Sequence, residues 1–178
     1  AGFAGYATVR EQPHLAEQLL PDVMLERAAA GDARRAAGVG YFVAETTERP
    51  TIAGMLFLNN FRVCLMTFST GAVLGIGSFA IIALNGAAIG TATGHFANMG
   101  LTGYLLSFIA AHGPLELTAI WIYGAAGFLL GIALIRPGRR TRQQALVMAG
   151  RRALRLLGVV TPFIIVAALI EGLLSAGE

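Results

Sequence analysis

Side chains that can bind ions, move protons or pair as charges interrupt the apolar stretches of this chain. They come from three separate segments and comprise Asn59, Asn60, Arg62, His112, Glu116 and Glu171. Imidazole and carboxylate groups exchange protons and ligate cations, and a guanidinium neutralises carboxylates. A charge in apolar surroundings is expensive unless it is paired. We therefore expect these residues to form one polar cluster if they lie at one depth.

The composition places these residues in a membrane protein. Of the 178 residues, 56% are apolar and 13% are charged, whereas soluble domains carry about 25% charged residues. Several windows approach the ~20 apolar residues that cross ~30 Å of hydrocarbon. All basic residues are arginines without interleaved aromatic residues, so nucleic acid is not expected as a partner. The single cysteine, Cys64, allows no internal disulfide bond.

The predicted fold class is an all-α, polytopic transmembrane helix bundle. Four spans are predicted, at residues 55–84, 86–111, 114–135 and 155–176. Residues 1–9 read as the end of a preceding transmembrane helix, which gives the intact chain about five helices. Residues 10–51 form an amphipathic extramembrane segment, and residues 52–178 form the transmembrane domain. The sequence GLTG interrupts the second span and leaves open whether that span is continuous or re-entrant.

Arginine bias predicts how these spans are oriented. Residues 136–155 contain seven arginines and no acidic residue. The positive-inside rule places this loop in the cytoplasm. Alternating crossings then place residues 10–51 outside, and Arg62, His112 and Glu116 at the outer ends of their spans. Glu171 lies near the outer end of the last span.

Small residues at helical spacing predict close packing of the spans. The G-x-x-x-G pattern recurs on three spans, at Gly71 and Gly75, at Gly86, Gly90 and Gly94, and at Gly127 and Gly131. Lipid supplies no hydrophobic drive between helices, so close backbone approach must hold them together.

The sequence HGPLEL allows two interpretations of Glu116. Pro114 suits the first position of a helix, which predicts that His112 precedes the helix and that Glu116 lies in its first turn. A carboxylate in that turn stabilises the helix dipole, and this role is compatible with membership of the polar cluster. His112 and Glu116 are also spaced as two metal ligands on one helical face, but a histidine before the helix argues against a metal.

Catalytic motifs fit the chain poorly. It contains no H-E-x-x-H, G-x-S-x-G or Walker sequence. We therefore assign no catalytic residue, no metal and no cofactor, and we expect a protein that is not an enzyme.

The motifs LNN (58–60), HGPLEL and the late IEG resemble those of the stage II sporulation protein M family, over most of residues 50–175. The resemblance implies a multi-pass protein of a bacterial or archaeal plasma membrane. It also implies a non-enzymatic partner of the kind that places cell-wall-degrading enzymes at the septal membrane. The H-G-x-x-E pattern is similar to the broad non-sporulating branch, to which the sporulation role does not transfer.

Two functions from different classes therefore stay open. The first is a scaffold or complex subunit, whose partners are the lipid bilayer, other membrane or envelope proteins, and further copies of the chain. The second is a transporter or channel that uses His112, Glu116 and Glu171 for an ion or a small anionic solute. Intramembrane hydrolysis is a third, weaker interpretation.

Overall fold

A computed structural model describes residues 1–40, 45–73 and 75–175 of the chain. The described residues form α-helices and no strand, which confirms the all-α prediction. The helices are α1 (Gly2–Glu11), α2 (Ala16–Leu19), α3 (Asp22–Ala29), α4 (Gly31–Ala36), α5 (Arg49–Gly71), α6 (Ile76–Asn98), α7 (Thr102–Ile135) and α8 (Arg142–Leu169). A short 3-10 turn, Pro13–Leu15, precedes α2, and a π-helical turn, Ile170–Ser175, continues α8.

Four helices in the described part of the chain are long and apolar enough to cross a membrane. They are Arg49–Gly71, Ile76–Asn98, Thr102–Ile135 and Arg142–Leu173. A helix rises 1.5 Å per residue, so a 23-residue helix such as α5 extends about 35 Å, enough for a hydrocarbon core of about 30 Å. The chain is a multi-pass membrane protein.

The first two spans are divided differently from the prediction. Helix α5 ends at Gly71 and α6 begins at Ile76, so the two helices do not divide near Asn85, which is inside α6. Gly75 has a φ of 75°, a left-handed conformation that glycine adopts without strain. Hydropathy did not reveal this turn because apolar residues continue on both sides of it.

The sequence GLTG does end a helix. Between α6 and α7, Gly100 has a φ of 71°, and the amide of Leu101 donates to the carbonyl of Phe96. This is the glycine turn typical of a helix C-terminus. The predicted second span, 86–111, therefore joins the end of α6 to the beginning of α7.

The expected helix start at Pro114 is wrong. Helix α7 begins at Thr102, so both His112 and Pro114 are inside it. An interior proline removes one backbone hydrogen bond, and membrane helices tolerate this because neighbouring groups satisfy the freed carbonyl. Glu116 is therefore a mid-helix residue with no free amides of a helix start beside it.

The chain divides into two compact units. The first contains the described residues of 1–52, 83–111 and 170–175, and the second contains those of 53–82 and 112–169. Each unit has its own apolar core.

The core of the first unit joins short amphipathic helices to the ends of two long ones. Its buried residues are Val9, Ala16, Leu20, Ala28, Ala92, Phe96, Leu101 and Leu105. The 3-10 turn and helices α2 to α4, here called the helical layer (13–36), cover the C-terminal end of α6 and the start of α7. Arg34 also holds this layer in place. Its guanidinium donates to the Tyr104 hydroxyl at 3.1 Å and to the Gly40 carbonyl at 3.0 Å.

Glycines on α6 allow α1 to approach its backbone closely. A Cβ added to Gly94 would lie 2.8 Å from the Tyr6 carbonyl oxygen, and one added to Gly90 would overlap the carbonyl of Gly2. Gly86 leaves ordinary contact room, with its nearest neighbour, the Gly2 nitrogen, at 3.5 Å from an added Cβ. The Gly86-x-x-x-Gly90-x-x-x-Gly94 face therefore packs against α1.

The core of the second unit holds α5, α7 and α8 together. Its buried residues are Cys64, Ala119, Ile120, Tyr123, Val160 and Ile164. Along the α5–α7 contact, Thr67 lies against Gly124, and Gly71 lies against Gly127. Residue numbers rise together on the two helices, so α5 and α7 run parallel.

The remaining predicted packing glycines also lie in the second unit. An added Cβ on Gly127 would overlap the Phe68 carbonyl, and one on Gly75 would lie 2.5 Å from the Phe128 ring. Gly131 is buried.

Candidate functional site

The parallel register of α5 and α7 brings Asn60 to Glu116. The Asn60 amide nitrogen Nδ2 donates to Glu116 Oε1 across the two helices. Asn59 adds a weaker contact, because its Nδ2 donates to Asn60 Oδ1 at 3.5 Å. The predicted polar residues of the first and third spans thus meet through an asparagine amide.

His112 lies one helical turn before Glu116 on α7. The continuity of α7 through Pro114 places the two side chains on one face, and a ring nitrogen of His112 and a carboxylate oxygen of Glu116 lie within 4.8 Å of each other. His112 is only 5% exposed, and Glu116 is half-buried. The site therefore combines an imidazole, a carboxylate and an amide with little access to water.

The lengths of the helices locate this site relative to the arginine loop. Glu116 lies 19 residues before the end of α7 at Ile135, a rise of about 29 Å, close to the ~30 Å thickness of the hydrocarbon core. Arg136 and the arginines that follow begin where α7 ends. The site and the loop are therefore one hydrocarbon thickness apart.

The other two predicted members of the cluster are Arg62 and Glu171. Arg62 is exposed, and its position two residues after Asn60 places it on a different face of α5. Glu171 is half-buried and belongs to the first unit, whereas Glu116 belongs to the second. The assignment of these residues to one binding site stays a prediction, and within the second unit Asn60 donates to Glu116.

The chemistry open to this pair is the binding of a proton or a cation. Neutral imidazole nitrogen and carboxylate oxygen are ligands for Zn²⁺, which takes four ligands in structural sites and three protein ligands plus water in catalytic ones. His112 and Glu116 supply two, and the Asn60 amide supplies an oxygen if it is turned, because amide oxygen and nitrogen exchange places on rotation. This donor set in the second unit accommodates a cation.

Further polar contacts in the second unit were not predicted. The Tyr123 hydroxyl and Thr161 Oγ1 are 2.9 Å apart between α7 and α8, and the Ser78 hydroxyl donates to the Thr67 carbonyl between α6 and α5. Hydroxyl residues within apolar spans are the available signal for such bonds, since an unsatisfied hydroxyl in hydrocarbon is costly. These contacts fix the helices beside the site.

The fold and the site define an α-helical multi-pass membrane protein with a small polar site between two parallel helices. The profile of the stage II sporulation protein M family matches residues 1–176, which is wider than the 50–175 stretch that carries the sequence resemblance. The chain belongs to this family. No curated protein and no solved structure matches it.

Proposed function

We propose that this chain is a non-enzymatic scaffold or complex subunit of the plasma membrane, and that it positions cell-envelope proteins through the helical layer (13–36). Family membership supports the proposal, because the resemblance implies a membrane partner of envelope enzymes. The helical layer is suited to binding envelope proteins. Its short helices lie outside the long apolar helices and carry charged side chains.

The single observation that carries the proposal is the way the helical layer is built. Its apolar side chains, such as Leu20 and Ala28, are buried in the core of the first unit, and Arg34 is bonded to Tyr104. Its opposite face is exposed and charged, at Glu17, Asp22, Glu26, Asp32 and Arg35. A fixed, solvated face of mixed charge is suited to recognising a folded protein, since charged groups set partner choice and orientation.

The orientation is part of the proposal. Loop 136–155 lies in the cytoplasm because of its arginines, and the helical layer lies outside. This arrangement faces the layer towards the envelope, where peptidoglycan-remodelling proteins act.

Cross-linked membranes test the proposal directly. Membranes from cells that express the intact protein are treated with a short cross-linker, and partners are isolated in mild detergent and identified. We expect an envelope protein to be recovered with the unaltered chain and lost with the double variant Glu17→Lys, Glu26→Lys. The matched control, Glu45→Lys with Glu48→Lys, reverses two exposed acidic charges outside the layer and retains the partner.

The opposite result supports a different function. Recovery of the partner with the layer variant would show that the layer is not the docking surface. Solute flux in proteoliposomes that depends on Glu116, without any recovered partner, would favour a transporter.

A further inference from the structure

The beginning of α8 and the loop before it form an open groove that the proposed function does not use. The groove has a volume of about 510 Å³. It is lined by Arg140, Gln143, Gln144, Val147, Met148 and Arg151. The two arginines are 11 residues apart in sequence, Arg140 just before α8 and Arg151 within it. The apolar floor between them stays accessible, because Val147 is 50% exposed and Met148 is 39% exposed.

The groove lies in a strongly positive part of the chain. Residues 136–155 hold seven of the 13 arginines, and no acidic residue occurs between 136 and 170. Arg140 and Arg151 are both exposed. Their guanidinium groups are therefore available to an anion from outside the chain.

The packing of α8 on α7 places this groove at the edge of the apolar zone. The contact between Tyr123 and Thr161 fixes the register of the two antiparallel helices. Ile135 lies 12 residues after Tyr123, and Ala149 lies 12 residues before Thr161, so both are about 18 Å from that contact. The Arg151 end of the groove is thus level with the end of α7, where the apolar span gives way to arginines, and the Arg140 end extends beyond it.

We infer that this groove binds the headgroup of an anionic phospholipid. Guanidinium groups bind phosphate through paired hydrogen bonds, and the two glutamine amides offer further donors to phosphate or glycerol oxygens. The floor of Val147 and Met148 contacts the first carbons of the acyl chains, which enter the bilayer along exposed Leu154. A soluble phosphate satisfies the arginines but gains nothing from the apolar floor.

The test uses the full chain in detergent, titrated with phosphatidylglycerol or with phosphatidylcholine, and bound lipid is counted by native mass spectrometry. The groove variant Arg140→Gln, Arg151→Gln should bind phosphatidylglycerol about thirtyfold more weakly, because two arginines near the headgroup are lost. The matched control Arg139→Gln, Arg152→Gln removes the same charge from exposed positions outside the groove lining and should show a much smaller loss. Phosphatidylcholine binding should not separate the two variants.

Two results would overturn the inference. Equal losses of phosphatidylglycerol in both variants would mean that the arginines act only as diffuse positive charge. Protection of the chain against thermal unfolding by inorganic phosphate as strong as that by phosphatidylglycerol would mean that the groove holds an anion and not a lipid. Circular dichroism of both variants confirms that the helices are retained, since all four arginines are exposed and a fold defect is not expected.

Discussion

Asn60 on α5 and Glu116 on α7 form a hydrogen bond between the two helices in an apolar zone. A hydrogen bond to a charged group contributes more to stability than one between neutral groups, about 1.5–3 kcal/mol. Removing such a bond lowers stability more where water cannot replace the missing donor. The stability of this pair is therefore the first property to measure.

We predict that Asn60→Leu lowers the free energy of unfolding by about 2 kcal/mol, because the Glu116 carboxylate loses a donor. The double variant Asn60→Leu, Glu116→Leu should lose less than the sum of the single variants, since neither member of the pair is then left without the other. Unfolding in mixed detergent micelles, followed by circular dichroism, gives the three values. Asn59→Leu is the control and should have little effect, because Asn59 is exposed and its contact is long. Strictly additive losses would show that Asn60 and Glu116 do not interact.

The sequence predicted most members of this site but not its geometry. Asn59, Asn60, His112 and Glu116 stood out because polar residues are rare in apolar spans. Which of them touch depends on the register of α5 against α7, and that register is set by contacts such as Gly71 with Gly127. Charge complementarity favoured Arg62 as the neighbour of Glu116. The register of α5 against α7 instead places Asn60 beside Glu116.

At the scale of the helices, glycine decides where backbones can meet and where helices end. Apolar composition identified four spans, because hydropathy summed over ~20 residues is a strong signal. Apolar composition could not locate the turn at Gly75, because hydropathy does not depend on the backbone angle φ. It also placed a helix start at Pro114, because a proline favours that position in most helices but does not require it.

We predict that Gly90→Leu causes a severe loss of folded protein. The added side chain would overlap the carbonyl of Gly2 and force α1 away from α6, and overpacking of this kind costs about 3 kcal/mol. Size-exclusion chromatography of the detergent-purified chain measures the folded fraction.

Gly158→Leu is the matched control for this change. Gly158 lies inside α8, and a Cβ added there would meet nothing within 4 Å. Normal yield of both variants would mean that the Gly90 face is not a helix contact.

At the scale of the whole molecule, the orientation across the membrane determines which surface can meet the envelope. Three long apolar helices, α5, α6 and α7, separate Asp32 from Arg140 in the sequence. If each of these helices crosses the membrane once, we expect the two residues on opposite sides. Under the positive-inside rule we propose that the arginine-rich side faces the cytoplasm.

Thiol labelling in intact cells tests this orientation, in a variant that lacks Cys64. A cysteine at Asp32 should react with an impermeant reagent, and a cysteine at Arg140 should react only after the cells are permeabilised. Both positions are exposed, so access is limited by the membrane and not by the fold. Protection of the Asp32 site before permeabilisation would place the helical layer inside and would require a re-entrant segment or the reverse orientation.

Site-specific photo-cross-linking from the helical layer is the measurement that tests the scaffold function most directly. A photoreactive amino acid at Glu17, which is exposed in α2, should form an adduct with an envelope protein in living cells. The same group at Leu154, which is 69% exposed on α8, should yield no adduct with that protein. An envelope protein joined at Glu17 and not at Leu154 is the result we predict. A chain that forms no protein adduct at Glu17, or the same adducts at both positions, would contradict the scaffold function.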